Sequence, residues 1–427
     1  MLKPVAGSNL VAIAGEVPGP AGSSTASAPL SPAPVGHLEG PERLARLFQR
    51  LAGLDDGRAH DDVRILQFGD SHTASDMGTS AFRHVLQTRF GDGGRGFVSI
   101  GKPWKTYVQD GVRSGMSSEF EPRRMRIKDQ QYVGDGSYGL LGVGIGTASA
   151  GASAWTAVAQ RFSHVEIAYW QEPRGGTFEV FVDGARAGRV TTRAAERGSG
   201  FFAFDVPDAS HQIDLRTVGD GDVRVFGMTV ERAQAGVVVD ALGINGAQIF
   251  TPLRWSEEHF AEQVRHQAPD LVVLAYGTNE AVDEHLDNAN YERGLVDLLG
   301  RVSRAAPGAA CMLLGPPDLA RWTKGTRGYH TLPRVLEIAA AQRRVARAGG
   351  CAFYDQIEAM GGPGSMAAWA AEAPPRGQAD RMHLTRAGYT QVGTTLAADV
   401  LHAYDEWRAE AGLPPTKADK SGNVARR

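Results

Sequence analysis

Apolar residues recur along the chain in short runs: Val63–Phe68, Val237–Leu242, Leu271–Tyr276, Ala310–Leu314 and Cys351–Tyr354. Each is short enough for a strand buried on both faces. Longer stretches with helical spacing alternate with them: Pro41–Leu54, Asp76–Phe90, Trp255–Gln267, Tyr291–Ala305, Leu332–Ala348 and a final one from Thr385 to about Ala409. Strands alternating with helices predict a parallel sheet covered by helices on both faces, a three-layer α/β/α fold with five parallel strands.

The gap between the first two strands is too long for one crossover. From about 110 to 232 the period changes to two, with Phe178, Val180 and Val182 alternating with Glu179 and Asp183, and Ile213, Leu215 and Thr217 repeating the pattern. "GDGD" at 219–222 then leads into Val223, Val225 and Gly227, a hairpin signature. These features predict an antiparallel β-sandwich inserted into an α/β domain that occupies 41–109 and 233–410. Residues 1–40 are rich in Gly, Pro, Ser and Ala and read as a disordered leader; 411–427 read as a loose tail.

Composition narrows the function. The formal net charge of −3 lacks the basic footprint of a nucleic-acid binder. No apolar run approaches the roughly 20 residues of a membrane helix. The short stretch Leu10–Ala14 behind Lys3 is weaker than a signal peptide, so a leader would have been removed already if the protein is exported. Cys311 and Cys351 are the only cysteines. Two buried thiols on core strands is the preferred reading over a disulfide. No H-E-x-x-H and no His/Cys cluster occurs, so neither a metal nor another cofactor is expected.

The chemistry collects at strand ends. The first run passes directly into "GDSHTASD", the second into "GINGA" (Gly243–Ala247) and the third into "YGTNE" (Tyr276–Glu280); "DRMHLTRAGY" (Asp380–Tyr389) precedes the last helix. Open α/β sheets bind ligands at the carboxyl ends of their strands. A serine hydroxyl becomes a useful nucleophile only when a base takes its proton. His383 is a candidate base, and Asp380, three residues earlier, can hold its imidazole in the required tautomer.

In order and placement these four blocks resemble those of the SGNH (GDSL-like) hydrolase superfamily, over about 41–105 and 233–410. The resemblance implies a flavodoxin-like sheet and a serine esterase with Ser71 as nucleophile and Asp380 and His383 completing its triad. It assigns the oxyanion hole to the Ser71 and Gly246 backbone amides and the Asn279 side chain. Asp70 is expected to orient or cap the serine turn, His72 to form a pocket wall, and Thr278 to lie nearby. Glu280 stands where the family more often has Asp and is given no catalytic role. The two-lobed arrangement resembles peptidoglycan O-acetylesterases, whose insert looks like a carbohydrate-binding module. That implies an acetylated glycan as partner and an exported, periplasmic or extracellular setting. The small or polar residues Thr73, Ala74, Ala247 and Thr278 suggest a short acyl pocket. A small-ester esterase or lipase, a glycan O-acetyltransferase and a non-catalytic glycan-binding protein remain alternatives.

Three other features need a reading. Asp208 and His211 repeat the D-x-x-H spacing inside the insert and are read as a turn. "GDGGRG" at 91–96 follows a helix rather than a strand, so it fails as a dinucleotide loop. Trp155, Tyr169 and Trp170 are open to two readings, a sugar-stacking surface or sandwich core.

Overall fold

The computed structural model describes residues 36–124 and 135–414. The expected leader falls mostly on 1–35 and the expected tail on 415–427, outside the described residues. Residues 36–40 are not part of a structureless leader: Leu38–Glu39 forms a strand.

Among the described residues the main sheet has six strands. Five are parallel, ordered 237–243, 63–69, 271–275, 310–314, 352–354 across the sheet, a flavodoxin-like arrangement with the first strand second from the edge. The sixth, missed in the sequence, is Leu38–Glu39, antiparallel to Phe353–Tyr354 at the far edge.

Alternation along each strand feeds two separate cores. Leu66, Phe68, Val272, Leu274, Leu313 and Phe353 point to one face, where helices Glu257–Gln267, Asn288–Ala305 and Pro333–Gly349 supply Phe260, Leu298 and Ile338. Val63, Ile65, Val239, Val273 and Met312 point to the other. There Ala45–Asp55, Met77–Phe90 and Arg386–Glu410 supply Phe48, Phe82 and Val400. Burying each such side chain contributes about 1.5–3 kcal/mol, so both sheet faces are strongly specified.

Among the described residues the second sheet has nine antiparallel strands. Ser153–Gln171 and Gly198–Thr217 run through it side by side, with register shifts between Asp205 and His211. Its own core gathers Val98, Phe162, Ile167, Phe178, Ile213 and Met228. The second sheet starts earlier than the expected 110. Gly94–Val98, inside "GDGGRG", pairs with Val223–Glu231.

Cys311 and Cys351 form a disulfide, which corrects the expectation of free thiols. Their strands are parallel neighbours, and Met312 pairs with Ala352 one position on. Register thus brings residues 40 apart in sequence to a Cα separation of 4.9 Å, inside the range a disulfide spans.

Candidate active site

Three strands end level with one another. Gly69 pairs with both Gly243 and Ala275. The first three sequence blocks therefore leave the sheet at one place, where chain order reverses across the sheet and a crevice is expected. The serine block curls at once into a helical turn, Ser71–Ala74, capped by Asp70, whose carboxylate accepts the His72 amide at 2.9 Å. The turn sits tightly against the neighbouring strand end: a Cβ on Gly243 would lie 2.1 Å from the Ala74 amide nitrogen. As the first residue of a helical turn, Ser71 has no partner for its own amide within that turn.

The last block brings its residues to the serine. Asp380 Oδ1 accepts the amides of Met382 and His383, both at 3.0 Å. Asp380 Oδ2 meets His383 Nδ1 at 2.7 Å, and His383 Nε2 meets Ser71 Oγ at 2.9 Å. An ionised carboxylate only accepts, so Nδ1 carries the proton and Nε2 is left as the acceptor for the serine hydroxyl. Burial works to raise the Asp380 carboxyl, but the His383 side chain and the two amides outweigh it and hold it below its ordinary value. The loop is pinned from outside by Ala320 N–H donating to the Arg381 carbonyl at 3.0 Å.

Gly246 and Asn279 lie on the two neighbouring strand exits, which are stitched together. The Asn279 side-chain amide donates to the Ala247 carbonyl at 2.8 Å, leaving its second N–H uncommitted by that bond. Gly246 turns with φ of +79°, a conformation that suits glycine. Glu280, fully buried, accepts the amides of Ile249 at 2.8 Å and Gly277 at 3.0 Å. Burial pushes its carboxyl up to about 8 against those amides. Its contacts are those of a clamp between the two loops.

Asp70 and His72 stand behind the serine. Burial pushes the Asp70 carboxyl up to about 7, opposed by the His72 amide, His383 and Thr278. His72 donates to or accepts from the Tyr389 hydroxyl at 3.0 Å, and its ring lies 5.3 Å from that of His383. Burial, then the charge of His383, push it down to about 3, so it stays neutral beside the imidazole it flanks. A cavity of about 50 Å³ backs the turn, lined by Asp70, His72, Thr278, Phe82 and Tyr389 among others. Neither Ser71 nor His383 lines it. Thr73, Ala247 and Thr278 are buried, so of the four residues expected around the acyl group only Ala74 reaches the surface.

The cluster that anchors this turn has no signature in the sequence. Asp76, buried with φ of +55°, bonds Arg83 at 2.7 Å, Arg95 and the Asp110 amide at 2.9 Å. Arg95 belongs to "GDGGRG", so that segment ties the serine turn to the second sheet. The insert aromatics divide. Tyr169 packs on Phe178 and Trp170 on Phe226 and His259, both buried, while Trp155 is half-buried. Among the described residues no group of three or more His, Cys, Asp or Glu could hold a metal, and no helix is long and apolar enough to cross a membrane.

Residues 214–391 match the GDSL-like Lipase/Acylhydrolase family. The match includes Gly246, Asn279, Asp380 and His383; Ser71 lies outside it, on the far side of the second sheet in sequence. The solved structure "Peptidoglycan O-acetylesterase in action, 5 min" superposes with a TM-score of 0.70 at 26% identity, covering 84% of this chain and 96% of that one. A family two carbohydrate esterase from Clostridium thermocellum in complex with cellohexaose shares 13% identity over 63% of this chain and 95% of its own, with a TM-score of 0.27. A second, from Cellvibrio japonicus, shares 12% over 69% and 98%, also at 0.27. No curated protein matches the chain. With a GDSL-like block set on a flavodoxin-like sheet, the chain carries an SGNH hydrolase domain of the GDSL-like lipase/acylhydrolase family and is a carboxylic ester hydrolase.

Proposed function

We propose that the protein removes O-acetyl groups from a polysaccharide, with peptidoglycan the first candidate, through an acyl-enzyme on Ser71. The observation that carries this is the unbroken line Ser71 Oγ, His383 Nε2, His383 Nδ1, Asp380 Oδ2. His383 takes the serine proton as Oγ adds to the ester carbonyl. The tetrahedral oxyanion is received by the amides of Ser71 and Gly246 and by Asn279, each such donor being worth roughly 3–4 kcal/mol of barrier. The intermediate collapses as His383 returns the proton to the departing sugar oxygen. Water, deprotonated by the same imidazole, then adds to the acetyl-serine; that intermediate breaks its bond to Ser71 Oγ, His383 returns the proton to Oγ, and acetate is released. Asp380 stabilises the imidazolium in both halves.

The substrate reading is supported by likeness to the peptidoglycan O-acetylesterase structure over most of both chains. An exported location is supported by the Cys311–Cys351 disulfide, since such bonds persist in oxidising compartments. The test is acetate release from O-acetylated peptidoglycan and from a small aryl acetate, with mass spectrometry of Ser71 under rapid acid quench. Acetate from the polymer and an acetyl adduct on Ser71 are expected. A chain-length profile peaking at octanoate, with no acetate from any glycan, would overturn the substrate; transfer to an added oligosaccharide in preference to water would overturn hydrolysis.

A further inference from the structure

Beside the His383 loop stands a two-stranded ribbon, Ala320–Thr323 and Gly328–Thr331. Trp322 and Tyr329 face each other across it, with ring centroids 5.1 Å apart. Trp322 is 54% exposed and Tyr329 39%, the only aromatics among the large hydrophobic side chains left that open in the described residues. An exposed aromatic pair on a polar ribbon marks a contact surface. Tyr329 is also covered by a cation: the guanidinium of Arg381 lies 3.9 Å from its ring centroid. Arg381 sits between Asp380 and His383, and its carbonyl accepts the Ala320 amide. Trp322 is two residues further along the strand, about 7 Å beyond that contact. This is a span of one to two sugar units from the loop that carries the base.

The ribbon's charge is one-sided. Arg321, Lys324, Arg327 and His330 lie on it and no acid does, in a chain whose net charge is −3. Lys324 and Arg327 are exposed and have no ion-pair partner among the described residues. Arg321 faces Glu284 at 3.8 Å, where both are exposed.

We propose that the ribbon is a glycan-binding subsite for a polysaccharide that carries carboxylates. A sugar ring stacks on the open face of Trp322, and the carboxylates meet Lys324 and Arg327. This deepens the reading of the substrate as peptidoglycan and rests on it, since peptidoglycan is a glycan whose peptide stems are anionic. The buried Tyr169 and Trp170 leave the second sheet without them as a stacking surface, whereas the ribbon offers an open aromatic face beside the loop that carries His383.

The test uses the full chain with Trp322→Ala, Trp322→Phe and the double variant Lys324→Glu/Arg327→Glu. Two readouts are taken: acetate-release kinetics, and co-sedimentation with de-O-acetylated peptidoglycan. Trp322→Ala should raise the apparent KM on the acetylated polymer about tenfold, with Trp322→Phe recovering most of it. Activity on 4-nitrophenyl acetate should stay within about twofold for every variant. The charge reversal should weaken action on the anionic polymer at low salt, lose its effect as salt rises, and leave neutral acetylated xylan unaffected. Equal losses on the small ester and the polymer would make the ribbon a prop for the His383 loop and overturn the proposal. So would unchanged polymer kinetics and sedimentation, including the case in which the variants alter only the oligomeric state. If the wild type releases no acetate from peptidoglycan, the substrate reading falls by itself. Sedimentation then decides the ribbon: binding lost in the variants upholds it, binding retained removes it.

Discussion

The chain contains two Asp-x-x-His pairs, and the fold treats them in opposite ways. At 380–383 the backbone curls. Asp380 accepts two amides with one oxygen, turns the other to the imidazole of the same turn, and leaves Nε2 aimed at Ser71. At 208–211 the backbone is extended and bulged within a long strand. There Asp208 turns away to Arg232 and Arg161. His211 bonds Asp183 through Nδ1 at 2.6 Å and the Pro207 carbonyl through Nε2 at 2.7 Å. Both nitrogens of His211 are thus occupied, and no serine lies on either. The difference teaches that the same spacing leaves a nitrogen free to meet a serine only where the local hydrogen bonds close a turn.

The sharpest way to break this comparison is a matched pair of alanines. His383→Ala should lower kcat on a small acetate by roughly 10⁴-fold or more, and Ser71→Ala by as much, because each disables the same proton transfer. His211→Ala should leave kcat within about twofold, since removing an imidazole remote from the reacting groups costs at most local packing. A dead His211→Ala, or a His383→Ala enzyme with most of its rate, would reverse the assignment.

Next in size is Asp380→Asn. The amide can still accept from the turn, but it no longer holds Nδ1–H against a negative charge. A fall in kcat of roughly 10²–10⁴-fold is expected, with a smaller change in KM. Asp208→Asn should not move kcat. Steady-state kinetics on one chromogenic acetate suffice; an Asp380→Asn variant at wild-type rate would detach Asp380 from the mechanism.

The parallel strands were legible because each is a short apolar run, and three of the four blocks fall on strand ends while the fourth leads into the last helix. What escaped the sequence depends on register and long-range pairing. Leu38–Glu39 is too short for a period to show, and only its pairing with Phe353–Tyr354 makes it a strand. Cys311 and Cys351 became a disulfide through the alignment of two strands that the sequence does not order. Asp76 was legible as a helix start but not as the acceptor of two buried arginines from different segments, one hidden in a glycine-rich stretch. That cluster supplies a third test. Asp76→Ala leaves Arg83 and Arg95 buried and facing each other, and should cost about 3–5 kcal/mol by urea unfolding. Asp208→Ala should not approach that, its carboxylate being partly exposed. A loss below about 1 kcal/mol would mean the serine turn is anchored elsewhere.

The smallest effect expected is a pH dependence with opposite signs at the two pairs. Burial pushes the Asp70 carboxyl, beneath the 380/383 site, up to about 7. In the unfolded chain it ionises near its ordinary value of about 4. Between those values the folded protein holds a proton that the unfolded chain has released. Its contribution to stability is therefore fully present below about pH 4 and is lost as the pH rises through about 7. Asp183, the carboxylate on His211, is held below its ordinary value by the Gln212 amide and then by His211. Its contribution is present above that ordinary value and is lost as the pH falls. Asp70→Asn keeps the neutral form at every pH, with its carbonyl accepting the His72 amide and its NH₂ near the Thr278 hydroxyl. Relative to this variant, wild-type stability in urea should fall from pH 5 to pH 8 by at most about 3 kcal/mol. Relative to Asp183→Asn, wild-type stability should decline below about pH 4 as the carboxylate protonates, with a separate loss at higher pH as His211, which against burial Asp183 helps hold above its ordinary value, gives up its proton. If Asp70→Asn tracks the wild type from pH 5 to pH 8, Asp70 is ionised throughout, and the serine turn rests on a buried charge rather than on a neutral acid.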